Sequence, residues 1–423
     1  MTKLEQLINE LCPDGVEYKR IDELCIITRG RVMSKDYIRD NVGQYPVYSS
    51  QTENNGELGK ISTYDFEGEY LTWTTDGANA GSVFYRNGKF SVTNVCGLLK
   101  VKVDEITTKY LYHILSITAP KYVNKGMGNP KLMSNVMARI KVPLPPLSIQ
   151  SEIVHILDSF TLLTAELTAE LTARKKQYAF YRDYLLDFSN EDVTKKIPDI
   201  DCTNIKYLPL EEVIISLNTG LNPRKFFRLN TDDAKNYYVT IREIKNNKIV
   251  FNDKTDRIND EALRLCNNRS NLDVNDILFS GTGTIGETAL IESKPNNWNI
   301  KEGVYSIKPN SQFIISKYLM YLLQSSKVRS EYLRKAEGGT VKSIQMKKLK
   351  EIIIPVPPLS VQENIVIILD RFDKLNNDMS EGLPAEIEAR KKQYEYYRDT
   401  LLSFDDKACS QIVKVERERA NTH

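Results

Sequence analysis

With 423 residues, 41% of them hydrophobic, the chain has room for two or three domains and a core for each. Its 58 basic and 56 acidic residues leave a net charge of +2, which neither demands nor excludes a nucleic-acid partner. There is no apolar run of about 18 residues and no signal-peptide core in MTKLEQLINELCPDG, so a soluble, cytoplasmic protein is expected.

The six cysteines are scattered without a Cys-x-x-Cys, which argues against a disulfide framework or a zinc site. Three dispersed histidines (His113, His155 and His423) argue against a histidine metal site or triad.

In chain order, residues 1–11 suggest a short amphipathic helix through Leu4, Leu7, Ile8 and Leu11. The stretch from 16 to 142 is rich in Tyr, Val, Thr and Gly in short runs, which predicts mixed β structure with few long helices. Asn54-Asn55-Gly56 and Asp76-Gly77 are turn signals. A short helix is expected from Lys109-Tyr110-Leu111, followed by a Gly-x-x-Lys loop from Gly128 to Lys131.

At Pro143 begins PLPPLSIQSEIVHILDSF, continued after an interval by ARKKQYAFYRDYLLDF to Phe188. The proline cluster cannot be helical, and Ser148 falls where an N-cap would sit. The apolar positions then keep helical spacing: Ile149, Ile153, Ile156, Phe160, Leu163, Leu167, Leu171, Tyr178, Tyr181 and Leu185. Steps of four and three with one extra four predict a coiled-coil seam with a stutter. A helix of about 39 residues would be roughly 58 Å long. Ser189 to Thr203 has the composition of a polar linker.

The chain then repeats itself. Ile205-Lys206-Tyr207, Leu210-Glu211-Glu212-Val213 and Gly220 echo Tyr18-Lys19, Ile21-Asp22-Glu23-Leu24 and Gly30. Lys317-Tyr318-Leu319 and the loop Gly339 to Lys342 follow, then PVPPLSVQENIVIILDRF from Pro355 and ARKKQYEYYRDTLLSF to Phe404. Ser360 takes the place of Ser148. The second seam runs through Val361, Ile365, Ile368, Phe372, Leu375, Met379, Leu383, Ile387, Tyr394, Tyr397 and Leu401, with a kink or break expected at Gly382 and Pro384. The tail beyond Phe404 is polar. A repeat of this period is too long for a solenoid and indicates a duplicated domain pair. The fold class expected is α+β. Two mixed α/β domains are joined and separated by two long antiparallel helices, because the second copy must return along the first to bury both stripes. The predicted boundaries are 1–142, 143–189, 190–354 and 355–423.

No catalytic constellation emerges. Gly281-Thr282-Gly283-Thr284-Ile285-Gly286 follows a strand-like Ile277-Leu278-Phe279, but a dinucleotide site needs that loop to open a helix. The sequence soon reaches Pro295-Asn296-Asn297, and the matching stretch Thr75 to Gly81 keeps only the last glycine. A glycine-rich β-turn is the better reading. No ATP-binding P-loop or amino-methyltransferase tetrad is present. A nuclease set of Asp199 with Glu243 and Lys245 would draw Asp199 from the linker.

Binding chemistry remains. Basic, amide, hydroxyl and aromatic side chains interleave in expected loops: Arg29, Arg31 and Lys35; Ser49, Ser50, Gln51, Asn54 and Asn55; Thr74, Thr75 and Asn79; Lys131. The second half offers Arg224, Lys225, Ser280, Thr282, Thr284, Trp298 and Lys342. Arg, Asn and Gln can read base edges, while Lys, Ser and Thr suit phosphates. Tyr178, Tyr181 and Leu185, with Tyr394, Tyr397 and Leu401, form matching aromatic–apolar stripes beside Arg-Lys-Lys clusters, a pattern suited to a partner bound twice.

These residues carry a resemblance. The alternation of variable domain and helix, the Pro-x-Pro-Pro-Leu-Ser-x-Gln openings and the ARKKQY…YRD…LL endings resemble the specificity subunit of a type I restriction–modification system over nearly the whole chain. Thr164 to Leu167 and Thr168 to Leu171 are similar to the TAEL tetrads of the type IC subgroup. The second copy departs by holding Asp378 to Pro384 in that region. The resemblance implies two target-recognition domains reading double-stranded DNA. It also implies helices that set an unread spacer and dock two methyltransferase subunits, with restriction (translocase) subunits joining for cleavage. S-adenosylmethionine, ATP and Mg would then sit on those partners and no cofactor on this non-catalytic chain. The alternatives are a cofactor enzyme using the GTGTIG loop and a coiled-coil scaffold without nucleic acid.

Four residues turn an α-helix by about 400° and advance it about 6 Å. The net turn of roughly 40° is close to the twist of one base pair at about 10.5 per turn. Deleting Thr168 to Leu171 is therefore expected to shorten the unread spacer by one base pair and leave both half-sites unchanged. Methylation sequencing reads this directly. An altered half-site, or an unaltered spacer in an active complex, would make the tetrads packing rather than a ruler.

Overall fold

The structure, a computed structural model, describes residues 3–126, 128–189, 204–377 and 382–404. The expected linker from 190 to 203 (with Asp199), the seam residue Met379 and the polar tail lie outside the described residues. The chain divides into two compact units, Met1–Glu166 with Glu388–His423, and Leu167–Ile387. Both divisions fall inside helices, so each unit holds one globular domain and part of each repeated helical stretch.

In the first unit a six-stranded sheet is ordered Cys25–Arg29, Cys96–Val101, Phe66–Thr74, Val83–Val92, Val42–Tyr48, Glu57–Ile61. All neighbours are antiparallel except Val42–Tyr48 against Val83–Val92. In the second unit Ile214–Thr219, Val304–Pro309, Ile277–Ser280 and Thr288–Leu290 make a four-stranded antiparallel sheet. A three-stranded sheet holds Asn236–Val239 parallel to Trp298–Ile300.

Closely spaced glycines show that the units are built alike. A Cβ on Gly30 would strike the carbonyl of Val92, and one on Gly220 the carbonyl of Ile300. The next residues form matching parallel bridges, Arg31 to Thr93 and Leu221 to Lys301.

The repeated segments clamp the same way in both units. Glu17–Arg20 pairs with Lys141–Leu144, and Lys206–Pro209 pairs with Ile353–Val356. Gln150 is fully buried. It accepts from the Thr107 N–H (2.9 Å) and donates to the carbonyls of Glu105 (2.7 Å) and Pro145 (2.8 Å). Gln362, equally buried, accepts from Ile315 N–H (2.8 Å) and donates to Phe313 (2.9 Å) and Pro357 (2.8 Å). One side chain thus holds the start of the helix Thr108–Thr118, or Ser316–Gln324, against the start of the long helix. Lys109 reaches Asp158 and Lys317 reaches Asp370, both at 2.6 Å. The Tyr110 and Tyr318 hydroxyls donate to Pro143 (3.3 Å) and Pro355 (3.1 Å).

The first long helix spans Leu147–Leu186, 40 residues, as its periodicity predicts. The second stretch forms two helices, Leu359–Asn377 and Leu383–Leu401, with 378–381 outside the described residues. Two sequence expectations need correction. Ser148 and Ser360 are not N-caps, because the helices already begin at Leu147 and Leu359 and the carbonyls of Pro146 and Pro358 take the first amides. The buried opening face is Ile149, Ile153 and Leu157, repeated as Val361, Ile365 and Leu369, while Ile156 and Ile368 are only partly buried. The physical reason is that these first turns pack on their own globular domain. The helix–helix seam comes later. In the first unit Phe160 stacks on Tyr397 at 5.3 Å, and in the second Tyr181 stacks on Phe372 at 5.4 Å. Each stack joins the two repeated helical stretches within one unit.

Removing either clamp takes the side-chain partner from one amide and two carbonyls, with the bond to Pro145 or Pro357 wholly buried. Gln362→Ala should cost on the order of 3 kcal/mol in the second unit, and Gln150→Ala should act on the first. Hydrogen exchange resolved by unit measures this, and a loss spread equally over both units would contradict it. His113 adds a pH dependence to the first unit. Burial lowers its pKa below the ordinary value near 6.5, outweighing the opposing bond to Asp158 at 3.1 Å. The unfolded chain then binds the extra proton, so stability falls as pH drops below about 6.5. His113→Gln should flatten that fall in urea titrations at pH 7.5 and 5.5, values chosen at about one unit either side of the transition. An equal fall in the variant would remove His113 as the cause.

Candidate nucleic-acid interface

One bracket of backbone hydrogen bonds recurs at the strand ends of both units. In the first, Gly77 N–H donates to Pro130 (3.0 Å) and Leu132 N–H to Thr75 (2.9 Å), while Asn124 and Lys131 exchange bonds at 2.9 and 3.0 Å. In the second, Gly283 N–H donates to Lys342 (2.8 Å) and Ile344 N–H to Gly281 (2.9 Å), while Glu337 and Ser343 exchange bonds at 2.8 Å. Each bracket is closed by an aromatic donor. Trp73 Nε1 reaches the Leu132 carbonyl at 2.9 Å, and the Tyr305 hydroxyl reaches Ile344 at 2.6 Å. The two rings come from different strands, and the missing Cβ of Gly97 or Gly281 makes room for each.

This register corrects the sequence reading twice. Lys131 corresponds to Ser343, and Lys342 to Pro130, so the two Gly-x-x-Lys loops are offset by one residue. Gly77 corresponds to Gly283 as well as Gly81 to Gly286, so two glycines are shared, not one. All four have positive φ. The GTGTIG loop joins two antiparallel strands and opens no helix, as a glycine-rich turn requires.

The first unit gathers several predicted residues. Asn54 and Asn55 are exposed, with φ of 53° and 55°, and Gly56 follows at 78°. Asn79 Nδ2 donates to Thr52 Oγ1 at 2.9 Å, tying the turn after Thr75 to this loop. Gln51 donates inward to the Glu57 carbonyl, and Ser50 beside it is half-buried. Lys131 and Lys35 are exposed. Arg29 bonds Ser134 at 3.3 Å, and Arg31 is paired with Asp65 at 3.0 Å over the Tyr37 ring. In the second unit Thr282, Thr284 and Lys342 are exposed around the bracket, and Arg224 and Lys225 on the short helix Pro223–Phe226.

Other predicted residues are structural. Thr74, Thr75, Ser49 and Ser280 are buried; Thr75 Oγ1 donates to Val95 at 2.7 Å and Ser280 Oγ to Thr284 at 2.6 Å. Trp298 is buried against Phe251. Among the stripe residues, Tyr178 and Leu185 lie in the core of the second unit. Tyr394 and Leu401 pack on the core of the first, and Tyr181 and Tyr397 are engaged in the stacks above. The side chains left outward are Phe180 (64% exposed) and Tyr396 (68%), at the same repeat position.

Sequence reasoning missed Arg86. It lies within the strand Val83–Val92 and is 3% exposed, where an arginine among alternating residues would be expected to face water. Its guanidinium sits 3.6 Å over the Tyr48 ring, Nε donates to Thr72 Oγ1 (3.1 Å) and Nη2 to the Asn55 carbonyl (2.8 Å). Burial lowers its pKa.

A family model described as the type I restriction modification DNA specificity domain matches residues 13–174 and again 204–389. The chain belongs to that family. A protein of Mycoplasma pneumoniae named as a type I specificity subunit is 35% identical over 385 residues, 91% of this chain and 97% of the relative. A crystal structure of a type I S subunit from M. genitalium is similar at TM-score 0.53 and 15% identity, over 92% of this chain and 95% of that one. A chain from a study of complex assembly in the type I restriction–modification system is similar at TM-score 0.58 and 13% identity, over 92% and 97%. At such identity these two establish the fold. The family is one of DNA-specificity subunits, whose catalytic partners are separate chains. Among the described residues no helix is long and apolar enough to cross a membrane.

The bracket glycines give a direct test. Gly283 has φ of 82° with open space where a Cβ would stand, so Gly283→Ala meets backbone strain of about 1–2 kcal/mol and no clash. The variant should stay folded and bind its specific duplex more weakly in gel shifts, with binding to unrelated duplex unchanged. Unaltered specific binding would separate the bracket from recognition.

Proposed function

We propose that the chain directs adenine methylation to a bipartite DNA site, each unit reading one half-site across the bracket at its strand ends. One observation carries this reading: the same bracket is built twice while its outward positions differ. Lys131 stands against Ser343, and exposed Asn129 against exposed Val341. Duplication with divergence suits a target whose halves differ. Boundaries at 1–142, 143–189, 190–354 and 355–423 describe the parts by role: recognition, spacer, recognition, spacer. Two methyltransferase subunits, carrying S-adenosylmethionine, dock on the repeated helices through the outward Phe180 and Tyr396, with the exposed Lys175, Lys176, Lys391 and Lys392 beside them. An ATP-dependent restriction subunit completes the assembly.

Mapping adenine methylation in cells with and without the chain tests the reading. A split motif present only with the chain supports it, and an unchanged methylome rejects it. Lys131 tests the interface itself. Lys131→Ala should weaken binding across sequences and lower the salt slope by about one, whereas Ser343→Lys, which places a cation at the corresponding position, should raise it by about one. Unchanged slopes would move both residues off the phosphate path.

A further inference from the structure

Arg86 is a buried cation with no carboxylate among its contacts. Its guanidinium lies 3.6 Å from the Tyr48 ring centroid and 4.8 Å from that of Phe84 and donates to Thr72 Oγ1 and the Asn55 carbonyl, while buried Nη1 makes no hydrogen bond. Such a group is costly to bury. The second unit shows that the fold does not need it. Trp73 pairs with Val83 as Phe279 pairs with Thr288, and both ladders run antiparallel, so Thr72–Phe84 matches Leu278–Ala289 and Arg86 matches Ile291. Ile291 is 1% exposed, in an apolar cluster with Val239, Leu278 and Ala289. Of that arginine's surroundings Tyr48 corresponds to Val239, since each carbonyl accepts from the residue that follows the close glycine contact, Thr93 or Lys301. An aliphatic slot in one unit is therefore a cation slot in the other.

What the cation touches in exchange is the loop 51–56. Asn54, Asn55 and Gly56 run through three successive left-handed conformations, two of them on residues with a Cβ. The Asn55 carbonyl turns inward to Nη2, which leaves the Asn54 and Asn55 side chains exposed. A Cβ on Gly56 would come within 3.0 Å of the same Nη2, so loop and guanidinium fit closely.

We propose that Arg86 is a positioning residue for the first half-site: it latches the loop 51–56 in its left-handed run and so aims Asn54 and Asn55 at base edges. The proposal rests on the bipartite reading above. Adenine is the base an aimed asparagine amide suits, through paired bonds to N6 and N7.

The test uses the full chain with its methyltransferase partner. Arg86→Met, which imitates the aliphatic slot of the second unit, and Arg86→Lys, which keeps the charge but not the fork, are compared by methylome sequencing and by thermal unfolding. Both variants should unfold close to the parent temperature and keep the second half-site and the spacer. The first half-site should relax at one or two positions, with discrimination there falling about tenfold or more. Arg86→Lys should retain part of it. A first half-site as sharp as the parent's in either folded variant overturns the proposal. So does loss of both half-sites together in both variants, which would make Arg86 a folding residue. If the parent complex methylates no split site at all, the bipartite reading fails instead, a result distinct from these.

Discussion

Two buried glutamine amides hold the molecule's design together. Gln150 and Gln362 each satisfy three backbone groups at once, and in both units those groups belong to the start of a domain helix and the proline turn before a long helix. A buried side-chain amide must be paired, so each fully buried glutamine fixes the point where a globular domain ends and a spacer begins. The Lys–Asp pairs and tyrosine–proline bonds around it repeat the same connection. With that joint constant, the loops at the strand ends are free to diverge.

Divergence is visible in how the two units solve one packing problem. The bracket must be closed by an aromatic donor. The first unit supplies Trp73 from one strand, facing Gly97; the second supplies Tyr305 from the neighbouring strand position, facing Gly281. The same exchange of content under a constant frame turns Ile291 into Arg86 and Ser343 into Lys131. A reading surface altered in this way can change its target without disturbing the helices.

The repeat, the long helix and its length were legible because a heptad-like spacing and proline punctuation act locally. The clamp was not, although its glutamine stands in the repeated motif, because its partners are backbone groups about 45 residues away or next to the proline turn, and no periodicity marks them. Helical spacing favours Ile156 over Leu157 only for a stripe that faces the other helix from its first turn. Here that turn faces the globular domain. Lys131 and Lys342 share a sequence spacing, but the register is set by which amides the turn glycines and their neighbours offer. Buried Thr75, Ser280 and Trp298 looked like loop residues because polar and glycine-rich neighbours surround them.

If each unit reads its own half-site, recognition should be separable at the globular domain. The most direct measurement is the methylome of cells expressing a chimera in which residues 25–132, from the first strand of the six-stranded sheet through the end of the bracket at Leu132, come from another specificity subunit of this family. The account predicts one new half-site, with the other half-site and the spacer length kept. A change in both half-sites, or in neither while methylation persists, would contradict it.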